Sequence, residues 1–251
     1  MPLVSIIVPA WNASRFVAET IKSVQDQTFG DWEMLIADDC SADDTYDLVS
    51  SFAQSDARIR PLRSPRNQGP ALCRQMCIDG AAGRYLAFLD SDDLWLPAKL
   101  ERQIAHMQGC NSALSYTSFR RMNEDGTRVG DVMRIPESLT YRQLLSNTAI
   151  ATLTAMVDRQ IAGDVRIPNV GYDDFALWLS ILRKGHVATG LREDLARYRV
   201  RDQSVSSRPL RSIGWVWNIY RNVEKLPLHR SALCLAGYGS RAVLKRIVGR
   251  A

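Results

Sequence analysis

The sequence predicts an α/β fold with a mostly parallel central sheet, followed by a helical, basic tail. Three observations carry that reading. Apolar runs of strand length alternate with segments of helical spacing through residues 4–90. Polar or acidic loops leave the ends of those runs. Basic charge is segregated: residues 207–251 carry nine Lys or Arg against Glu224 alone, so the tail is +8 and the preceding residues sum to −3 of the chain's +5.

Taken in order, VSIIVP (4–9) is an unbroken apolar run, as expected of a strand buried on both faces. Phe16, Val17, Thr20, Ile21 and Val24 recur at helical spacing. WEMLIAD (32–38) is a second strand, and in the segment after it Ser41 and Asp44 form a capping box for a helix. Ile59 to Leu62 supply a short third strand. Pro70 suits a helix's first turn, with Leu72, Met76 and Cys77 on one face. RYLAFLD (84–90) is the fourth strand. Strand and helix alternating at this spacing mean βαβ units and a parallel sheet.

Beyond these, Leu96 to Met107 read as a helix, SALSYTSF (112–119) as a strand and NEDGTR (123–128) as a hairpin turn around its Asp-Gly pair. TLTAMVD (152–158) reads as a strand, DDFALWLSILRKG (173–185) as a helix closed by Gly185, and LARYRV (195–200) as the last strand. Nothing in this pattern is a repeat, and no linker is long enough to force two domains.

Composition removes several function classes. The 46% hydrophobic content supplies an ordinary globular core. No run of eighteen apolar residues occurs, and the N-terminus lacks the regions of a signal peptide, so a cytoplasmic protein is expected. Five cysteines in such a chain indicate reduced thiols. Cys73 and Cys77 lie four apart on a helix with no second pair or nearby histidine, which makes them core residues instead of zinc ligands. His106, His186 and His229 belong to no motif.

The acidic loops carry the chemistry. In open parallel sheets, ligands gather at the carboxyl ends of strands. Three loops leave such ends here: PAWN (9–12), DDCSADD (38–44) and DSDD (90–93). Asp90, Asp92 and Asp93 repel one another unless positive charge shares the space. Mg²⁺ or Mn²⁺ prefers carboxylate oxygens and bridges to phosphates, so a nucleoside diphosphate held through a metal accounts for all three loops. Any one of them alone is better explained as a helix cap or turn. Together, with a second acidic pair at Asp173 and Asp174, they are not.

The segments VSIIVPAWN, ADDCSADDT, NQGPALCRQMCIDGAAGRYLAFLDSDD and GYDDFALWLSILRKG resemble the family 2 glycosyltransferases, in order and spacing, from about residue 3 to 206. YDDFALWLSILRKG and LARYR…SVSS are most similar to bacterial enzymes that build teichuronic-acid, capsule or O-antigen chains. The resemblance implies a single Rossmann-like nucleotide-diphospho-sugar transferase domain of the glycosyltransferase A type over 1–206. Residues 1–95 would be its nucleotide-binding half and 96–206 its acceptor half, with 207–251 a basic amphipathic tail.

Carried over by position, the resemblance assigns Pro9, Ala10, Trp11 and Asn12 to the nucleotide base and ribose, and Asp39 to a hydrogen bond with the base, usually uracil. Arg74 would lie near the base, and Asp90 and Ser91 beside the nucleotide. Asp90 and Asp92 are the ends of the DxD motif, with Asp92 on the metal. Asp93 is expected to cap the following helix. Asp174 stands where the family places its catalytic base, and Asp173 would orient hydroxyls. Trp178 is expected in the core. The family often shows a histidine after the last strand; here Arg201 occupies that place, and an arginine grips a diphosphate instead of ligating a cation.

The function implied is inverting transfer of a sugar from a nucleotide-sugar, a UDP-sugar in the first place, to a glycan or polyprenyl-diphosphate-linked acceptor in cell-surface polysaccharide synthesis. Trp215, Trp217, Tyr220 and Leu235 among the basic residues of the tail suggest peripheral contact with an anionic inner membrane leaflet, in preference to nucleic acid. A nucleotidyltransferase would want a glycine-rich loop where PAWNASR has none. A non-catalytic nucleotide- or glycan-binding module would have no reason to keep acids at both Asp92 and Asp174. Thr152 and Thr154 are candidates for the acceptor pocket, though alternating threonines also suit a strand.

Overall fold

Runs that are apolar on every residue must be covered on both faces, and the computed structural model shows that arrangement. It describes residues 1–201 and 209–248, with side chains for 1–201 and 212–239. Strands β1 (Val4–Ala10), β2 (Trp32–Asp38), β3 (Ile59–Arg63) and β4 (Tyr85–Phe88) form a parallel array in the order β3-β2-β1-β4. Helices α1 (Val17–Gln25), α2 (Thr45–Ser55) and α3 (Pro70–Gly80) connect them. Along β1 the alternation sorts Val4, Ile6 and Val8 into one apolar layer, with Val17, Ile21 and Val49, and Ile7 into the other, with Cys73, Cys77 and Trp178. The two cysteines are fully buried core residues, as expected.

The second half continues the same sheet. After β4 come β5 (Leu94–Trp95), α4 (Lys99–Cys110), β6 (Leu114–Met122), β7 (Val129–Met133), β8 (Ser138–Leu139), α5 (Tyr141–Leu144), β9 (Met156–Asp158), α6 (Arg159–Ala162), α7 (Asp173–Arg183) and β10 (Ala188–Arg199). The sheet order is β3-β2-β1-β4-β9-β6-β10-β5, with β7 added to β6 and β8 to β10. The short strand β9 is antiparallel to both β4 and β6, so β6 and its parallel partner β10 run in the direction of β1–β4. Two register shifts in β10, between Leu191 and Asp194 and between Asp194 and Arg197, break its pairing with β6. Bulges of this kind bend a strand and re-aim its end, and here the end reaches the loop after β4.

Several expectations are corrected. Thr152–Thr154 form a 3₁₀ turn and only Met156–Asp158 are strand. The Ser41–Asp44 capping box is absent: α2 starts at Thr45 with no side-chain cap, and Ser41 Oγ instead accepts the Asn12 N–H at 2.9 Å. Asp93 does not cap α4, whose N-cap is Ala98. The strands β5, β7 and β8 were not read from the sequence, and β10 begins seven residues before Leu195. The hairpin turn at 123–128 is present, with Gly126 at φ +74° between antiparallel β6 and β7.

The tail is a helix pair: α8 (Pro209–Asn218), a π-helical turn (Ile219–Val223) and α9 (Leu228–Val248). Its apolar side faces the domain. Val216, Ile219, Tyr220 and Tyr238 are buried in the same layer as Trp178, and Leu235 packs against it. Tyr220 and Leu235 therefore face protein, which corrects their reading as membrane-facing residues. The 204–207 segment of the SVSS motif, and the side chains of Arg208, Arg211, Arg241, Lys245, Arg246 and Arg250, lie outside the described residues.

Candidate active site

The site is built where β1, β2 and β4 end. Pairing of β1 with β4 stops at Ile7–Phe88, while its pairing with β2 runs on to Ala10–Asp38. Pro9, which has no N–H to give, thus sits past the β4 ladder where the strands splay. Ala10 is buried and Trp11, the next residue, is 58% exposed at the opening. Asn12 takes the left-handed conformation (φ +46°), which asparagine tolerates. Its Oδ1 accepts the Ala42 N–H at 3.0 Å, locking the β1 and β2 loops together.

Asp39 is buried, and both its oxygens accept backbone N–H groups, from Gln68 at 2.8 Å and Gly69 at 2.7 Å. It thereby fixes the turn before α3, where Gly69 adopts φ +89°. One helical turn on, the buried Arg74 spans the site. Its Nη2 donates to Asp90 Oδ1 and its Nη1 to Asp173 Oδ2, both at 2.6 Å. Burial works against its charge, but Asp90, Asp173 and Asp174 outweigh that effect and raise its pKa. A single guanidinium therefore ties the DxD segment at the end of β4 to the acid pair on α7, 99 residues away in sequence.

Asp173 and Asp174 occupy the first turn of α7, where the helix dipole favours negative charge. Neither is the N-cap; that is Tyr172, which makes no side-chain cap bond. Asp173 is buried against Arg74. The half-buried Asp174 accepts Thr152 Oγ1–H at 2.5 Å and the Phe175 N–H at 2.7 Å. Burial, then repulsion from Asp173, pushes its pKa up to about 6, with Arg74 and the Thr152 hydrogen bond pulling the other way. Behind the pair, the buried Trp178 makes an edge contact with Phe88 at 5.1 Å between centroids, a core role as expected.

The far wall comes from the end of β10. Arg201 Nε lies 2.8 Å from Asp92 Oδ2 as an ion pair. Arg199, 2% exposed, is the hub beneath it. Its backbone N–H goes to Asp93 Oδ1 (2.8 Å), its Nε to the Asp92 carbonyl (2.8 Å), its Nη1 to the Glu124 carbonyl (2.6 Å) and its Nη2 to Glu19 (2.6 Å). Both arginines also lie over the Phe16 ring. Burial and neighbouring Asp90 raise the Asp92 pKa against the pull of Arg201, and burial with Asp92 raises that of Asp93 well above the ordinary value. Sequence reasoning did not assign Arg199, Glu19 or Phe16 to the site. The arginine that closes RYR, two positions before Arg201, was the available signal for Arg199.

Ser91 shares the loop, half-buried between the two DxD carboxylates. Asp90 and Asp92 suit a hard divalent cation in donor chemistry, being crowded carboxylates. Among the described residues no group of three or more His, Cys, Asp or Glu is placed to hold a metal. A cation here would take at most these two carboxylates, a donor set Mg²⁺ completes with water and substrate phosphates.

Comparison with known proteins identifies the family. The model of the family described as "Glycosyl transferase family 2" matches residues 5–165, a span that includes all three loops and ends before the acid pair. Relatives extend the match further. TuaG of Bacillus subtilis (strain 168), named as a teichuronic acid biosynthesis glycosyltransferase, is 41% identical over 247 residues, 98% of each chain. The Escherichia coli UDP-Glc:alpha-D-GlcNAc-diphosphoundecaprenol beta-1,3-glucosyltransferase WfgD is 36% identical over 229 residues, 91% of this chain and 89% of its own. Among solved structures, S. aureus TarS 1–349 in complex with UDP-GlcNAc superposes with a TM-score of 0.73 at 19% identity, over 96% of this chain and 72% of that one, a likeness of fold. Because the family match spans most of the chain and the relatives nearly all of it, the chain belongs to glycosyl transferase family 2, as a glycosyltransferase built on the A-type fold.

Proposed function

We propose that the enzyme transfers a hexose from a UDP-sugar to a polyprenyl-diphosphate-linked sugar, with inversion, as a step in cell-surface polysaccharide synthesis. The observation that carries this reading is the Arg74 bridge, which holds Asp90 of the nucleotide side and Asp173 of the acid pair 2.6 Å from one guanidinium. Donor and base groups then face one cleft. The donor and acceptor classes are supported by the relative whose name specifies UDP-Glc and a diphosphoundecaprenol acceptor.

Asp174 is the general base. With its pKa near 6 it is ionised at neutral pH yet basic enough to take a proton. The acceptor hydroxyl gives its proton to the Asp174 carboxylate as its oxygen bonds to the anomeric carbon. The bond from that carbon to the diphosphate oxygen breaks on the opposite face, and UDP leaves with the electron pair. Thr152 orients the base, and Asp173, held by Arg74, orients hydroxyls. Pro9, Ala10, Trp11, Asn12, Asp39 and Ser91 form the nucleotide side, and Arg201 grips the departing diphosphate. Asp90 and Asp92 would hold Mn²⁺ or Mg²⁺, which when bound supplies further neutralisation of leaving-group charge.

On the same proposal, the protein is a peripheral enzyme working at the cytoplasmic face of the membrane. Among the described residues no helix is long and apolar enough to cross a bilayer. Support for surface contact comes from the basic composition of the tail and from Ile213, Leu228 and Leu233, which stay 41%, 63% and 71% exposed. Basic segments with exposed apolar residues bind anionic leaflets.

A release assay for free UDP, run with UDP-, GDP- and dTDP-sugars and a polyprenyl-diphosphate-linked sugar, tests the reading. UDP-sugars should give acceptor-dependent release that EDTA suppresses. Release from GDP- or dTDP-sugars alone would overturn the donor assignment. Co-sedimentation with anionic but not zwitterionic vesicles tests the membrane contact.

A further inference from the structure

The turn that carries the acid pair has no cap of its own. Tyr172, the N-cap of α7, makes no side-chain cap bond, so contacts with other segments hold the helix start. Arg74 and Thr152 hold the two aspartates themselves, and the residues on either side of them meet the tail. At Gly171 a Cβ would fall 2.2 Å from Trp215 Nε1, 2.3 Å from Cδ1 and 2.5 Å from Cε2, so the indole of α8 already fills the space where a side chain would stand. Next along the chain, the Tyr172 hydroxyl lies 3.4 Å from that of Tyr238 on α9. Beyond the two aspartates, Phe175 meets Tyr220 and Tyr238 at 6.4 and 6.1 Å between ring centroids. Asp173 and Asp174 are thus flanked on both sides by residues seated against the tail.

We propose that Trp215 is a positioning residue for sugar transfer: packed on Gly171, it sets the turn that presents Asp174, and this makes α8 and α9 part of the catalytic apparatus. The inference rests on the reading of Asp174 as base. The dependence is geometric. Asp174 meets Thr152 at 2.5 Å, a contact that survives only while α7 begins where it does. A displacement of about 1 Å in a reacting group can cost on the order of 10²-fold in rate. The donor side, by contrast, is fixed by Asp39 and the β1–β2 loops, none of which touches α8 through a bond described above.

The test uses the full chain and six variants. Trp215→Ala should lower kcat by about tenfold to 10²-fold with the KM for UDP-sugar within about twofold. Gly171→Ala should do the same by forcing the indole out. In the Trp215→Ala background, Gly171→Ala should cost less than about twofold further, because nothing remains to collide with. Trp215→Phe, a milder change, should fall between and keep the fold if the alanine variant does not. Retained UDP binding by calorimetry confirms a folded donor side.

Two readouts separate positioning from a merely structural role. Relaxing the turn admits water to Asp174, so the acid limb of the kcat–pH profile should move below its native position near pH 6; the charged and titratable groups facing Asp174 are Asp173, Arg74 and Tyr172. In the Asp174→Asn background, Trp215→Ala should cost less than about twofold. Unchanged kcat in Trp215→Ala, a parallel rise in donor KM, or an undiminished Gly171→Ala loss without the indole would overturn the proposal. Normal turnover of Asp174→Asn alone would instead overturn the base assignment, while leaving the Gly171–Trp215 coupling measurable in the otherwise native enzyme.

Discussion

The two sides of the cleft are held by different means. On the nucleotide side, β1–β4 form a parallel ladder, and contacts between the adjacent loops that leave it, such as Asn12 with Ser41 and Ala42, fix those loops. On the acceptor side, the acid pair depends on a buried arginine from α3, a threonine from a 3₁₀ turn and aromatic rings from the tail. The first side is rigid by its topology; the second is rigid only through contacts between distant segments. Single substitutions should therefore do more damage to transfer than to nucleotide binding.

The largest expected effect is at Asp174. Its replacement by Asn should lower kcat by at least about 10²–10⁴-fold, the usual worth of a general base, with UDP affinity retained. Comparable loss of UDP binding would show that the two sides are not separable. Next comes Arg74→Met, which leaves the buried Asp173 and the half-buried Asp90 without their partner. Breaking a buried pair costs about 3–5 kcal/mol, read as a shift in the urea midpoint; a change below about 1 kcal/mol would mean that the bridge does not join the halves.

pH separates the sides further. Asp174 has a folded pKa of about 6 against an ordinary 3.8, so the folded state binds more protons between those values. Stability should fall as pH rises through that window, and Asp174→Asn should flatten the slope. Asp92 and Asp93 are shifted in the same direction and leave a residual slope. The kcat profile should rise over the same range as the base ionises. The smallest effect concerns the tail: each Lys or Arg near an anionic surface contributes roughly 1 kcal/mol, so Arg230→Ala should weaken vesicle binding only a few-fold, and raised salt should weaken it further.

The same contrast explains what the sequence disclosed. β2 was read to the residue because it is buried throughout and is apolar apart from Glu33 and the terminal Asp38. The residues that the structure gathers at this cleft were largely named from the sequence, Asp90 and Asp92 from their acidic loop and Asp39, Arg74, Asp173 and Asp174 with the help of the family resemblance. Their partners were not. Arg74 with Asp173, and Arg199 with Asp93, pair across 99 and 106 residues, and no local pattern records such a distance. Thr152 was misread as a strand residue because alternating threonines mimic period-two spacing, whereas a three-residue 3₁₀ turn leaves no period to detect. The tail's rings were read as a surface for lipid because amphipathic spacing does not say which phase the apolar side meets.

The arginines at the cleft have one more consequence. Arg74 and Arg201 already pair with Asp90 and Asp92 from within the chain, so the scaffold supplies part of its own countercharge. Chelation should then switch off turnover and leave the melting temperature almost where it was, and an enzyme of this design can idle between encounters with loaded donor without drifting toward unfolding.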